Sequence, residues 1–111
     1  MLESLFGSKT IEKILFYLLV NDRCYGSQLH KVFNESLSPF QKGLDRLEAG
    51  GIIVSFLEGK TRIYQFNPRY PFLSELKKFL EKAYEFLPSE FKDRFYQPSI
   101  RKRPRRKGKP L

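Results

Sequence analysis

The sequence predicts a mainly helical protein with one small β-hairpin, in the order α-α-α-β-β-α, followed by a basic C-terminal tail. Three observations support this fold class. Apolar residues recur at helical spacing in four segments, a segment rich in β-branched and aromatic residues surrounds a glycine turn, and positive charge is concentrated at the chain's end. With 111 residues, 41% of them hydrophobic, the chain suffices for one domain with a modest core.

The first two predicted helices cover residues 8–20 and 27–33. In the first, Ser8 or Thr10 can cap the N-terminus, and apolar residues follow the i, i+3, i+4, i+7 pattern of a buried stripe. Phe16 and Tyr17 lie on other faces, so we expect the second half of this helix to be covered on more than one side.

The third helix, residues 38–49, carries start and stop signals. Ser38 is a predicted N-cap, Pro39 suits the first helical position, and Gln41 would complete a capping box. Gly50 is expected to end the helix as a left-handed residue.

The two faces of this third helix differ in polarity. Phe40, Leu44 and Leu47 share an apolar face, whereas the opposite face is short, polar and partly basic. Gly43 lies at the edge of the apolar face. We expect it to let another helix, that of residues 27–33, approach closely, rather than to let DNA approach.

Residues 52–66 are predicted to form the hairpin, and residues 70–87 the last long helix. In that helix Phe and Leu recur every seven residues, which forms an apolar seam. Pro88 should limit it, with a short helix over roughly 89–96.

The tail accounts for most of the net charge. Without its basic residues the formal net charge falls from +9 to +2, so a polyanionic partner is the natural inference. We expect residues 1–97 to form the domain and residues 98–111 a tail that is disordered when free. The tail residues expected to bind phosphates are Arg101, Lys102, Arg103, Arg105, Arg106, Lys107 and Lys109.

Two short helices, a capped helix with a polar outer face and a directly following hairpin are the elements of a winged helix-turn-helix. The stretches "YGSQLHKVF", "SLSPFQKGLDRLEAGGII" and "EGKTRIYQFNP" resemble the winged-helix bacterial transcriptional regulators of the ArsR-like and MarR-like group. The resemblance covers roughly residues 5–87. It implies that the helix of residues 38–49 enters the major groove of double-stranded DNA. It also implies that the wing, residues 57–62, contacts the adjacent backbone or minor groove.

Physical chemistry favours the same roles, because a major groove about 12 Å wide admits one helix. The expected contacts of the recognition helix are Ser38, Pro39, Gln41, Lys42, Asp45 and Arg46. Those of the wing are Lys60, Thr61 and Arg62, and Ser27 and Gln28 could hold the DNA backbone.

The heptad seam has large apolar residues on more than one side of its helix, and one small domain can cover only one of these sides. The uncovered side favours a homodimer. The expected dimer interface comprises Phe16, Tyr17, Phe72, Leu76, Phe79, Ala83 and Phe86. Related regulators often dimerise through their terminal helices, as the resemblance implies.

Other functions find little support. Cys24 and His30 are the only cysteine and histidine, so we expect no metal site and no disulfide. No phosphate-binding glycine loop or catalytic triad is recognisable, and we expect neither an enzyme nor a cofactor. No apolar run is long enough to span a membrane and no signal peptide is evident, so a cytoplasmic, nucleoid-associated protein is predicted.

An alternative stays open at this point. The domain could be a winged-helix protein-interaction module whose basic tail binds RNA, a ribonucleoprotein or an anionic surface. The sequence does not identify a small-molecule effector, an operator or the sign of regulation.

Overall fold

The computed structural model describes residues 1–96, and the predicted tail lies outside the described residues. Six α-helices, three β-strands and one π-helical turn follow one another along this part of the chain. They are α1 (Glu3–Phe6), α2 (Lys9–Asn21), β1 (Arg23–Cys24), α3 (Gly26–Phe33), α4 (Leu37–Ala49), β2 (Ile53–Glu58), β3 (Thr61–Phe66), α5 (Leu73–Glu85), α6 (Ser89–Phe91) and the π-helical turn (Lys92–Tyr96). The predicted fold class is confirmed, with α1 and β1 as additions.

The sheet has the strand order β1-β3-β2, and both pairings are antiparallel. Glu58 pairs with Thr61, so Gly59 and Lys60 form a two-residue hairpin turn. Gly59 has φ +64°, a conformation that only glycine adopts without steric cost. On the other side of β3, Cys24 pairs with Tyr64 and ties the start of α3 to the hairpin.

Helix α2 runs through the centre of the core. The Ser8 side chain accepts hydrogen bonds from the backbone N–H groups of Thr10 and Ile11, so the predicted cap is confirmed. Phe16 is fully buried, and its ring lies against those of Tyr84 and Tyr96. The second side of α2 is therefore covered by the C-terminal segment of the same chain.

Helix α4 begins one residue earlier than predicted, and the predicted capping box is wrong. Its N-cap is Ser36, which makes no side-chain capping hydrogen bond, so Ser38 and Pro39 are the second and third helical residues. Pro39 is tolerated there because the first N–H groups of a helix have no intrahelical partner.

The C-terminus of α4 also differs from the prediction. Gly50 is right-handed, with φ −81°, and the left-handed residue is Gly51, with φ +76°. Backbone N–H groups of Gly51 and Ile52 donate to the carbonyl groups of Glu48 and Leu47, respectively. These two bonds form a Schellman motif, in which the residue after the C-cap takes the left-handed conformation.

Gly43 packs against a neighbouring helix, as expected, but the helix is α2 and not residues 27–33. A Cβ atom at Gly43 would lie 2.8 Å from Cδ1 of Ile14 and 3.5 Å from Cδ1 of Ile11. Gly43 therefore lets α4 approach α2 closely.

The C-terminal segment forms an aromatic cluster on α2 and α3. Phe33 stacks on both Phe40 and Phe95, with ring centroids 5.6 and 5.0 Å apart. Asn21 donates a hydrogen bond of 3.0 Å to the carbonyl group of Tyr96, the last described residue. The end of the described chain is thus fixed to the end of α2.

Candidate nucleic-acid interface

The outer face of α4 is the first part of the candidate interface. Phe40, Leu44 and Leu47 are buried, which turns the opposite side of the helix to solvent. All six residues that the sequence predicted as contacts on this helix are exposed: Ser38, Pro39, Gln41, Lys42, Asp45 and Arg46. Their side chains could reach the edges of base pairs if the helix lay in a major groove.

The wing supplies the second part. Lys60 occupies the hairpin turn and is exposed, as are Thr61 and Arg62 on the following strand. Arg23 of β1 binds Glu58 of the wing at 2.9 Å and lies over the ring of Phe56, with the guanidinium carbon 5.3 Å from the ring centroid. This ion pair joins the two outer strands of the sheet, β1 and β2, although both side chains are about half exposed and the pair adds little stability.

A second polar chain joins the wing to α4. Arg62 Nη1 donates to Ser55 Oγ at 3.0 Å, and Ser55 Oγ donates to Glu48 Oε2 at 2.5 Å. The Arg62 guanidinium is therefore held beside the strand, while its remaining N–H groups can still donate to a phosphate.

An open groove of about 440 Å3 lies between the start of α3, the start of α4 and the wing. Its polar and basic lining suits a phosphodiester backbone more than an apolar ligand. The lining residues are Tyr25, Gly26, Ser27, Leu37, Gln41, Lys60, Thr61, Arg62 and Tyr64.

Ser27 and Gln28, the two residues at the start of α3 that were predicted to hold the DNA backbone, lie in different environments. Ser27 lines this groove, whereas the side chain of Gln28 turns back and accepts a hydrogen bond of 3.3 Å from the backbone N–H of Tyr25. Gln28 thus holds the start of α3 in place.

Gln41 is also engaged within the protein. Its Nε2 donates to Asp45 Oδ1 at 3.2 Å and to the Tyr64 hydroxyl at 3.1 Å. Tyr64, a groove residue that the sequence analysis missed, is only 3% exposed. Its position in an apolar strand pattern gave no signal of a polar role.

Seven residues were predicted as dimer contacts, and the structure separates them into two groups. Phe16, Tyr17 and Ala83 are buried within the chain, so in this conformation they offer no surface to a second copy. The sequence could not reveal that the chain's own C-terminal segment covers α2. Leu76 is half-buried, whereas Phe72, Phe79 and Phe86 are 63%, 40% and 69% exposed.

These three exposed rings define the aromatic stripe of α5, which comprises Phe72, Phe79 and Phe86. Phe79 meets Phe6 of α1 edge-on, with centroids 6.3 Å apart. Beside Phe6, Leu5 is 64% exposed. Large exposed apolar side chains on the adjacent helices α1 and α5 are typical of an interaction surface.

The seven basic tail residues from Arg101 to Lys109 lie outside the described residues. Within residues 1–96, no group of three or more His, Cys, Asp or Glu could hold a metal ion. In the same range, no helix is long and apolar enough to cross a membrane.

Burial raises the pKa of the Cys24 thiol to about 12, so the thiol stays protonated near neutral pH.

No protein-family model matches the sequence. No curated protein matches it significantly.

Solved structures of similar shape exist. A MarR family transcriptional regulator from Silicibacter pomeroyi aligns with a TM-score of 0.54 and 18% identity. The alignment covers 75% of this chain and 59% of the regulator, so the chain spans less than two thirds of that protein. The adhesin competence repressor from Streptococcus pyogenes aligns with a TM-score of 0.55 and 17% identity, covering 83% of this chain and 72% of the repressor. Together with the helix order and the hairpin, these similarities establish that the chain has the winged helix-turn-helix fold.

Proposed function

We propose that the protein is a sequence-specific, double-stranded DNA-binding transcriptional regulator that acts as a homodimer. The observation that carries the proposal is the groove of polar and basic residues between α4 and the wing. The exposed outer face of α4 borders it, and solved winged-helix proteins of similar shape are described as transcriptional regulators.

In the proposed complex, α4 lies in the major groove and Lys42 and Arg46 contact base edges. These residues are one helical turn apart and both exposed, and Arg or Lys to guanine is the commonest specific contact in that groove. Lys60, Thr61 and Arg62 of the wing contact the phosphate backbone or the adjacent minor groove.

The aromatic stripe of α5 supports the homodimer. Stable interfaces have apolar centres enriched in aromatic residues, and the stripe together with Leu5 offers such a centre. A two-fold dimer would present two copies of α4 to successive turns of the major groove, which predicts a palindromic site.

The basic tail would add affinity without sequence preference. Seven cations in the last eleven residues can neutralise phosphates and release counterions. The proposed site of action is the bacterial cytoplasm, in association with the nucleoid.

The base-reading role of α4 is tested by measuring the affinities of two variants for two duplexes and comparing them with the affinities of the unmodified protein. A preferred duplex is first selected from random DNA, and a Lys42→Ala/Arg46→Ala variant and a Lys60→Ala/Arg62→Ala variant are measured on preferred and random duplexes. The first should lose about 1–3 kcal/mol per base contact on the preferred duplex and much less on random DNA. The wing variant should weaken both by similar factors, since phosphate contacts carry little sequence information.

Thermal melting of both variants provides the control for folding, because all four positions are exposed. If no duplex is enriched, or the α4 variant keeps full affinity and selectivity, the helix does not read DNA. A protein-interaction module with an RNA-binding or anion-binding tail would then be the better description.

A further inference from the structure

We infer that Gln41 is a positioning residue, which fastens the wing to the recognition helix and does not itself read bases. This inference rests on the proposed function for its effect on DNA binding. The tether itself is a property of the free protein and can be tested without DNA.

The first observation is that the Gln41 amide already has partners within the protein. Its Nε2 has two hydrogens, and two acceptors face it: Asp45 Oδ1 at 3.2 Å and the Tyr64 hydroxyl at 3.1 Å. To read adenine with both amide atoms, the side chain would have to give up both bonds. Base reading by Gln41 therefore starts from a disadvantage, although its side chain, like that of Lys42, is exposed on the outer face of α4.

The second observation concerns the other amide atom. A Cβ atom at Gly26 would stand 3.1 Å from Gln41 Oε1, a tight contact, so the Gln41 amide lies close to the backbone at the start of α3. The amide of Gln41 thus points from α4 across to the first residue of α3.

The third observation is where the tether ends. Tyr64 is 3% exposed and lies in β3, two residues after Arg62 and within the strand that carries the wing. Through Tyr64, the hydrogen bond of Gln41 fixes β3 relative to α4. The wing cations are then held at one distance from the recognition helix, which spares the cost of ordering them when DNA binds.

The central test compares Gln41→Ala with Tyr64→Phe, because Tyr64→Phe removes the hydroxyl at one end of the tether, and Tyr64, only 3% exposed, offers little surface to DNA. If Gln41 is a tether, both variants weaken binding to preferred and random duplexes alike, by about two- to tenfold, the factor of one ordinary hydrogen bond. The double variant should bind no more weakly than either single one. If Gln41 reads bases, Gln41→Ala loses selectivity while Tyr64→Phe is silent, and that result would overturn the inference.

A second arm distinguishes positioning of the wing from a general loss of structure. Lys60→Ala should cost less affinity in the Tyr64→Phe background than in the unmodified protein, because a released wing contributes less. Lys42→Ala is the matched control, and its cost should be the same in both backgrounds. Equal costs of Lys60→Ala in both backgrounds would contradict a tether.

A third arm uses the free protein. Amide hydrogen exchange at residues 59–62 should accelerate about two- to tenfold in Gln41→Ala and in Tyr64→Phe. Exchange in α2 should be unchanged. Unaltered exchange in the wing of the variants would refute the tether, whether or not the protein binds DNA. If exchange in the wing accelerates but the protein binds no duplex, only the proposed function is refuted.

Discussion

Gly43→Ala should destabilise the protein even though alanine is the better helix former. In an unhindered helix the exchange gains about 1 kcal/mol. Here the new methyl group would stand 2.8 Å from Cδ1 of the fully buried Ile14, closer than two carbon atoms approach. Such overpacking costs about 1–3 kcal/mol, so we expect a net loss of about 1 kcal/mol. In thermal unfolding this corresponds to a midpoint lowered by about 4–8 °C.

The same geometry predicts that a second substitution reverses the sign. Ile14→Val removes the Cδ1 atom and by itself should cost about 0.5–1.5 kcal/mol. In that background Gly43→Ala meets no atom closer than 3.5 Å among its nearest neighbours, Ile11 and Thr10. It should then stabilise the protein by up to about 1 kcal/mol, the gain from helix propensity alone. The coupling between the two sites would be about 2 kcal/mol.

The assay is urea or thermal unfolding of the four proteins in the cycle, followed by circular dichroism. Lys42→Ala and Lys42→Gly, at the exposed neighbouring position, measure the difference between alanine and glycine in this helix without a packing term. A Gly43→Ala protein more stable than the unmodified one, or a coupling near zero, would show that Ile14 moves aside without cost and would refute the reasoning.

Three further predictions concern the surface and the buried thiol. Changing Phe79 and Phe86 to serine should yield a folded protein that sediments as a monomer and binds DNA more weakly. An unmodified protein that sediments as a monomer at tens of micromolar would contradict the dimer. Deleting residues 99–111 should flatten the slope of log affinity against log salt by several units, at about 0.9 per phosphate contact, and leave the preferred sequence unchanged. A changed preference would mean that the tail reads bases. Because burial raises the pKa of Cys24 to about 12, the native thiol should react with a disulfide reagent at pH 8 far more slowly than the denatured one, and equal rates would contradict its burial.

The long elements could be predicted from sequence because each carries a periodic signal over several turns. Helix α2 with its Ser8 cap and the hairpin followed the predicted pattern closely, whereas the long helix before Pro88 spans Leu73–Glu85 and is shorter than the predicted 70–87. Helix α1 has only four residues and β1 only two, too few for any period to be visible. The pairing of β1 depends on β3, a strand distant in the chain, so no local sequence pattern could predict it.

The candidate site was predictable in composition but not in detail. The exposed face of α4 follows directly from its buried apolar face, which is why Lys42 and Arg46 lie where expected. The wrong capping box had a local cause, since the sequence offers Ser36 and Ser38 as alternative starts of the helix. The bond between Gln41 and Tyr64 joins different elements, and only their packing could reveal it.

The pairing of β1 with β3 has a consequence for how the domain opens. Arg23 and Gln65 face each other across the sheet, and the segment between them contains α3, α4 and β2. The two-residue strand therefore closes a loop that contains the whole helix-turn-helix. Bringing the ends of this loop together costs conformational entropy. While β1 and β3 are paired, contacts between elements inside the loop form at a lower entropic cost, because the ends are already close. Loss of β1 would thus release more than its own hydrogen bonds. We expect α3, α4 and the wing to exchange their amide hydrogens as a single cooperative unit.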